Sequence, residues 1–307
     1  MRILVVGAGS TGGYFGGRLA QTGRDVTFLV RPGRAAQLRA NGLQIISPRG
    51  NITLQPALVT AGQIAGTFDA VLLTTKAFSL DQAMEDMAPA VGPDTVILPV
   101  LNGMRHVELL VSRFGRQAMA GCVCKIATNL DDEGRIVQLA PLHEITYGEM
   151  DGRASSRMAR LDATMQGAGF DARLSHSIEA EMWEKWVLLA SVGAINCLMR
   201  GNIGEVNAAA GGSDFILCLL EEVVAVATAA GHAPGQEFLT NTRQMLTASG
   251  SLQTSSMYRD LLLRRPIEAD QIIGDLLARG RNLGVVTPLI AAAYAHLSIY
   301  LQRIAAL

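Results

Sequence analysis

Apolar and polar positions divide the chain into two halves of different period. Up to about residue 175 the apolar residues come in short unbroken runs, the pattern of strands buried on both faces. Residues 2–6, 26–30, 68–75 and 95–101 are such runs, with helical periods between them at 14–21, 35–41 and 79–90. Residues 43–47 and 52–55 flank the polar turn 48–51 and predict a hairpin. Residues 117–128 and 135–139 flank another turn, 131–134, and 144–148 reads as one more strand. Residues 155–167 read as a helix, and 170–174 as the strand that closes the sheet. Beyond Ser177 strand signals vanish, and long helical periods follow at 178–199, 214–230, 236–248, 266–283 and 288–306. Gly231, Gly250 and Gly284 punctuate them, and Pro288 opens the last. Pro266 suits a first helical position, which would put Glu268 in the first turn. The expected fold is α/β: a Rossmann-type doubly wound sheet over residues 1–175, then an all-helical domain over 176–307.

The first strand runs into Gly7-Ala-Gly9-Ser10-Thr11-Gly12 and then a helix, which is the dinucleotide fingerprint in its required context. Gly7 permits the turn, Gly9 lets the backbone approach a pyrophosphate, and Gly12 allows close helix–strand packing. The diphosphate would lie at the helix N-terminus, where unpaired N–H groups and the helix dipole favour an anion. Gly7, Gly9, Ser10, Thr11 and Gly12 are therefore the expected cofactor contacts of the loop. An NAD site usually has Asp or Glu at the end of the second strand. This chain has Arg31-Pro-Gly-Arg34 there, and no carboxylate from Asp25 until Asp69 apart from the strand's own start. A guanidinium suits a 2′-phosphate, so NADP(H) is the expected cofactor, with Arg31 on the phosphate and Arg34 as a helper. Lys76 and Asn102 stand at the ends of otherwise apolar strands, where ligands of open α/β sheets gather; the alternatives are a snorkelling lysine at a sheet edge and a plain Asn-Gly turn.

Composition narrows the field. The chain has 307 residues, 49% hydrophobic and 17% charged, with a formal net charge of -1. That gives no electrostatic case for nucleic acid or an anionic membrane. No stretch suits a membrane span: residues 186–199 and 223–230 are too short or are interrupted by charge. The apolar start runs directly into the glycine loop, which argues against a cleaved signal. The four cysteines (Cys122, Cys124, Cys197, Cys218) lack metal-ligand spacing, so no metal is expected and a reduced, cytoplasmic setting fits. Residues 223–230 offer an apolar face for a second copy, or ordinary core.

In the helical half, Glu181-Met-Trp183-Glu-Lys185-Trp186 is a charged patch in an apolar helix. Lys185 between two tryptophans reads as a desolvated ammonium suited to proton transfer, or as the ion-pair partner of Glu181 one turn away. Ser255-Ser256-Met-Tyr-Arg-Asp260 and Pro266-Ile-Glu268 complete the polar candidates.

These residues, in this order, resemble the ketopantoate reductases (2-dehydropantoate 2-reductases), and the likeness covers almost the whole chain. It rests on the glycine loop, Arg31, Thr75-Lys76, Leu101-Asn102-Gly103, Trp183-x-Lys185, Ser255-Ser256-Met257 to Asp260, and Pro266-x-Glu268. The resemblance implies NADPH-dependent reduction of 2-dehydropantoate, or a related branched 2-keto acid, to the hydroxy acid. Lys185 would polarise the ketone and donate a proton, and Glu268 would bind substrate or orient Lys185. Ser256 and Asn102 would contact substrate, while Asn102, Glu268 and Lys76 would also lie at the cofactor. One departure stands out. The family pattern places asparagines one and two turns beyond the lysine; this chain has Leu189 and Gly193 there. The nearest asparagine, Asn196, lies about 16 Å along the helix from Lys185. A pocket without those amides is more apolar and discriminates less by hydrogen bonding. Two other readings are a non-catalytic NADP(H)-sensing module and a β-hydroxyacid dehydrogenase.

Overall fold

The computed structural model describes residues 1–306. The chain forms two compact units: Met1–Leu101 with His106–Glu179, and Asn102–Arg105 with the residues from Ala180 onward. In chain order the elements up to residue 174 are β1 (Arg2–Val6), α1 (Ser10–Gln21), β2 (Asp25–Leu29), α2 (Pro32–Asn41), β3 (Leu43–Ile46), β4 (Ile52–Leu54), β5 (Ala57–Val59), β6 (Ala70–Leu73), α3 (Leu80–Met87), β7 (Val96–Pro99), α4 (Arg105–Phe114), β8 (Gly121–Leu130), β9 (Ile136–Gly148), α5 (Ser156–Met165) and β10 (Asp171–Leu174). Strands β5, β2, β1, β6 and β7 pair in that order, all parallel. A parallel sheet must be covered on both faces, and β1 shows how. Its Ile3 and Val5 share a core with Tyr14, Phe15 and Leu19 of α1. Its Leu4 and Val6 share another with Leu80, Met84 and Met87 of α3 and Leu110 of α4. The Rossmann-type sheet expected from the apolar runs is therefore present.

The expectation that residues 117–174 extend and close this sheet is corrected. Strands β10, β9, β3 and β4, with β8 on β9, form a second sheet. The two strands expected at 135–139 and 144–148 are one strand of 13 residues. Pro141 sits within it opposite the point where the β8 register shifts between Ile126 and Thr128, so its missing N–H breaks no regular ladder. Helix α1 packs against both sheets. A Cβ on Gly16 would lie 2.7 Å from the Phe28 ring and 2.9 Å from Val5, while one on Gly17 would lie 2.8 Å from Leu43 and 2.9 Å from Ile45. Gly12 and Gly13, one turn earlier, repeat the pattern against Thr74 and Ile136. Two i,i+4 glycine pairs thus serve two faces of one helix about 100° apart.

The helices that follow are α6 (Ile178–Met199), α7 (Ile203–Ala208), α8 (Gly212–Ala229), α9 (Gln236–Leu246), α10 (Ser256–Leu262), α11 (Asp275–Asn282) and α12 (Pro288–Ala305). A five-residue π-turn, Asp270–Gly274, leads into α11. Helices α7 and α10 are short and were not expected from periodicity; side-chain caps from Asn202 and Ser255 start them. Val223, Val226 and Ala227 are core residues of this unit, while Ala225 and Ala229 are exposed. Pro266 does not open a helix. The chain is irregular through Glu268, whose carbonyl accepts the first helical hydrogen bond from Ile272 N at 3.1 Å. Cys122, Cys124 and Cys197 are buried free thiols and Cys218 is an exposed one; burial pushes the Cys197 thiol up to about 12. Among the described residues no helix is long and apolar enough to cross a membrane.

Candidate active site

The dinucleotide loop is built where β1 ends. Gly7 turns the chain with φ +98°, and Gly9 stands at the N-cap of α1. The first turn of α1 has no acidic side chain and no side-chain cap, so Ser10 and Thr11 bring unsatisfied N–H groups to the helix start. A Cβ on Gly9 would meet nothing within 4 Å. A Cβ on Gly12 would instead overlap the Thr74 hydroxyl and the Gly7 carbonyl. That hydroxyl donates toward the carbonyls of Val6 at 2.9 Å and Gly7 at 3.0 Å, tying the loop to the end of β6. The neighbouring Thr75 hydroxyl is buried without a hydrogen-bond partner. An open cradle at Gly9 and an unpartnered hydroxyl beside Gly7 fit a bound dinucleotide.

Arg31, exposed just after β2, donates from Nη2 to Ser79 Oγ at 3.0 Å. Ser79 was missed by sequence reasoning; the only available signal was a hydroxyl at the start of the helix that follows β6. Lys76 is exposed beyond β6. Arg34 is committed elsewhere: Nε donates to Ala8 O at 3.0 Å, and Nη1 to Gly134 O at 2.9 Å and Gln37 Oε1 at 2.5 Å. Burial pulls its pKa below the ordinary guanidinium value. Its guanidinium holds loops together.

The second group of candidates lies in the helical unit. The Asn102 amide donates to Glu268 Oε2 at 3.5 Å, and Glu268 is 7% exposed. Lys185 is half-buried on α6. At about 100° per residue, Leu189, Gly193 and Asn196 lie within about 80° of it on the same stripe. Gly193 abuts Met257, whose Cε would be 2.8 Å from an added Cβ. Asn196 is fully buried; its Oδ1 accepts from Ser255 N at 2.8 Å and its Nδ2 donates to Gly201 O at 2.8 Å. The Lys185 stripe therefore runs alongside the start of α10, which presents Ser256 at its first position, exposed, after the buried cap Ser255. Asn196 acts as structural glue for that junction.

The expectation that tryptophans enclose Lys185 is corrected. Trp183 and Trp186 project about 160° and 100° around the helix from it. They pack on each other with ring centroids 5.0 Å apart, beneath Arg279, and Trp183 stacks on His232 at 4.6 Å. Sequence neighbours of Lys185 are thus turned away from it. Trp186 Nε1 donates to the Ile272 carbonyl at 2.9 Å, joining the Lys185 turn of α6 to the π-turn after Glu268. Gly103, with φ +79°, lets the chain beside Asn102 press on the same turn: any Cβ there would strike the Gln271 carbonyl.

Comparison with known proteins agrees with this two-part arrangement. Residues 3–152 match the family model described as ketopantoate reductase PanE/ApbA, and residues 177–300 match its C-terminal companion. An uncharacterized oxidoreductase, YkpB, of Bacillus subtilis (strain 168) is 35% identical over 300 residues, covering 98% of this chain and 99% of its own. The crystal structure of 2-dehydropantoate 2-reductase from Geobacter metallireducens GS-15 is 28% identical with a TM-score of 0.87, covering 97% of this chain and 99% of that one. A ternary structure of D-mandelate dehydrogenase with NADH and anilino(oxo)acetate, 20% identical, shares the fold at a TM-score of 0.86 over 99% of this chain and all of that one. The chain belongs to the ketopantoate reductase family and is an oxidoreductase that uses a nicotinamide cofactor to act on a keto/hydroxy pair.

Proposed function

We propose that the chain is an NADPH-dependent reductase of branched 2-keto acids, with 2-dehydropantoate the first substrate to test. The observation that carries the reading is the buried Glu268 carboxylate held by the Asn102 amide in the same unit as Lys185. A carboxylate buried to this degree needs partners, and a cationic acid with an amide and a hydroxyl suits the recognition of a 2-keto acid.

A nicotinamide dinucleotide held by the glycine loop would supply the hydride for the carbonyl carbon. As negative charge grows on the carbonyl oxygen, the Lys185 ammonium stabilises it and then donates a proton there. Glu268 accepts hydrogen bonds from the substrate or from Lys185 and keeps the ammonium oriented. Asn102, bonded to Glu268, has a side-chain carbonyl left to meet cofactor or substrate. The exposed Ser256 hydroxyl offers a hydrogen bond to the substrate carboxylate. At the cofactor, Gly7, Gly9, Ser10, Thr11 and Gly12 take the diphosphate, and Lys76 supplies positive charge near the phosphates or ribose. Arg31, helped by Ser79, takes the 2′-phosphate, which is the basis for NADPH over NADH.

Leu189 and the Met257 methyl over Gly193 give the Lys185 stripe an apolar continuation. Such a wall suits an alkyl or aryl substituent better than a hydroxyl. Steady-state oxidation of NADPH with 2-dehydropantoate, 2-ketoisovalerate, 2-ketoisocaproate and benzoylformate tests the reading. At least one apolar-branched acid should turn over, with a lower KM than its hydroxylated analogue. A protein that binds NADPH but turns over none of the four contradicts the proposal.

A further inference from the structure

We infer that the π-turn Asp270–Gly274 sets the Glu268–Asn102 pair against the Lys185 turn of α6, with Trp186 and Tyr294 as positioning residues for the reaction. This rests on the catalytic reading above.

A π-turn is a helix carrying one residue too many; it is rare, and such turns recur at functional sites. Here Asp275 N reaches back to Asp270 O, one residue further than the Ile272 N to Glu268 O bond just before it. Three separate contacts land on these five residues. The Trp186 indole donates to the Ile272 carbonyl at 2.9 Å in a buried setting. Gly103, at φ +79°, lies against the Gln271 carbonyl so closely that no side chain fits. The Tyr294 hydroxyl donates to Asp270 Oδ1 at 2.8 Å, and its ring packs on Gly274, where a Cβ would come within 2.7 Å.

Two of the anchors are chain neighbours of proposed site residues, and the third, Tyr294, holds the turn close to Glu268. Trp186 follows Lys185, Gly103 follows Asn102, and Asp270 lies two residues beyond Glu268. Lever arms this short leave little freedom: pinning Trp186 fixes the azimuth at which α6 presents Lys185. Removing one residue from the π-turn would restore the α repeat and rotate Glu268 by about 100° relative to α11, carrying its carboxylate away from Asn102. The turn thus acts as one clamp on three side chains, and none of the clamping groups needs to touch substrate.

The test uses the full-length protein with NADPH and the best acid from the panel above. Trp186→Phe keeps a smaller aromatic ring and removes the donor; Tyr294→Phe removes the bond to Asp270. Misplacing a reacting group by about 1 Å costs up to roughly 100-fold in rate, so Trp186→Phe should lower kcat between about 10- and 100-fold. NADPH affinity should stay within about twofold, because the glycine loop is untouched, and the pH profile of kcat should move as the Lys185 turn of α6 is released from the π-turn. Tyr294→Phe should show the same pattern more weakly, and it carries the test if Trp186→Phe does not fold. A merely structural role predicts a lower Tm with kcat and its pH profile unchanged in both variants; that result overturns the inference. Lys185→Ala separates the two levels. If it abolishes turnover while both positioning variants run at the wild-type rate, the clamp fails and the catalytic reading stands. If it retains full turnover, the catalytic reading fails and takes the clamp with it.

Discussion

Gly9 and Gly12 belong to one fingerprint, yet replacing each by alanine should have opposite consequences. Gly9 has ordinary dihedrals (φ -76°, ψ -164°), and nothing lies within 4 Å of its added Cβ. Gly9→Ala should leave the fold unharmed, or stabilise it by about 0.5 kcal/mol through reduced freedom of the unfolded chain. Its methyl, however, projects into the space a pyrophosphate would occupy. Losing one or two charge-assisted hydrogen bonds from backbone N–H groups costs about 2–4 kcal/mol, or roughly 30- to 700-fold in Kd. Gly12→Ala drives a methyl into the Thr74 hydroxyl and the Gly7 carbonyl, the second of which is backbone that cannot rotate away. Overpacking of this kind costs about 1–3 kcal/mol, with loss of Tm and of binding together. Thermal melts of both variants, alone and with NADPH, read the difference. A Gly9→Ala protein that binds NADPH as tightly as the wild type would refute the placement of the diphosphate.

Three further outcomes follow from the geometry. Arg31→Ala should lower the preference for NADPH over NADH by roughly 10- to 100-fold, read from the two dissociation constants; an unchanged ratio removes the 2′-phosphate role. Leu189→Asn should raise kcat/KM for 2-dehydropantoate relative to 2-ketoisovalerate by roughly tenfold, because it returns an amide to the apolar wall; no shift in the ratio means the stripe does not line the pocket. His143 is buried and accepts or shares a proton with Tyr14 Oη across 2.7 Å. Burial holds its pKa below the ordinary 6.5, outweighing Asp171. The unfolded chain therefore protonates first, and stability present above 6.5 is lost as the pH falls through that value. Melts between about pH 8 and pH 5 should show this decline, and His143→Asn should flatten it; an equally steep variant assigns the decline to other groups.

The parallel sheet was readable because its strands are unbroken apolar runs, and the glycine loop because its spacing sits between a strand and a helix. The second sheet was hidden. Its strands are half-exposed and mixed in direction, and Pro141 interrupts β9 where only the partner strand's register shift makes it harmless. The fingerprint assigns no task to Gly13 and Gly17; theirs is close packing of α1 on Ile136, Leu43 and Ile45 of the second sheet. Among the candidate site residues, Lys185 and Asn102 were legible as polar residues in apolar surroundings, whereas Glu268, in a charged stretch, was singled out by its place after Pro266 and by the family resemblance. The tryptophans were misjudged as enclosing Lys185 because chain adjacency outweighed the 100° step of the helix, and their role was hidden: the Ile272 carbonyl is 86 residues from Trp186, and an extra residue in a helix leaves no periodic mark in so short a stretch. Arg34 and Asn196 show the converse. Both carry suitable chemistry, and both are spent on backbone groups of loops and caps.

The most direct test is of the Lys185 ammonium as proton donor to the reduced carbonyl. Wild type and Lys185→Ala should be compared for NADPH binding by fluorescence and for single-turnover oxidation of NADPH with the best acid of the panel. The account predicts unchanged NADPH affinity and a chemical step slowed by roughly 100- to 10,000-fold. A variant that binds NADPH and reduces the keto acid at the wild-type rate would contradict it.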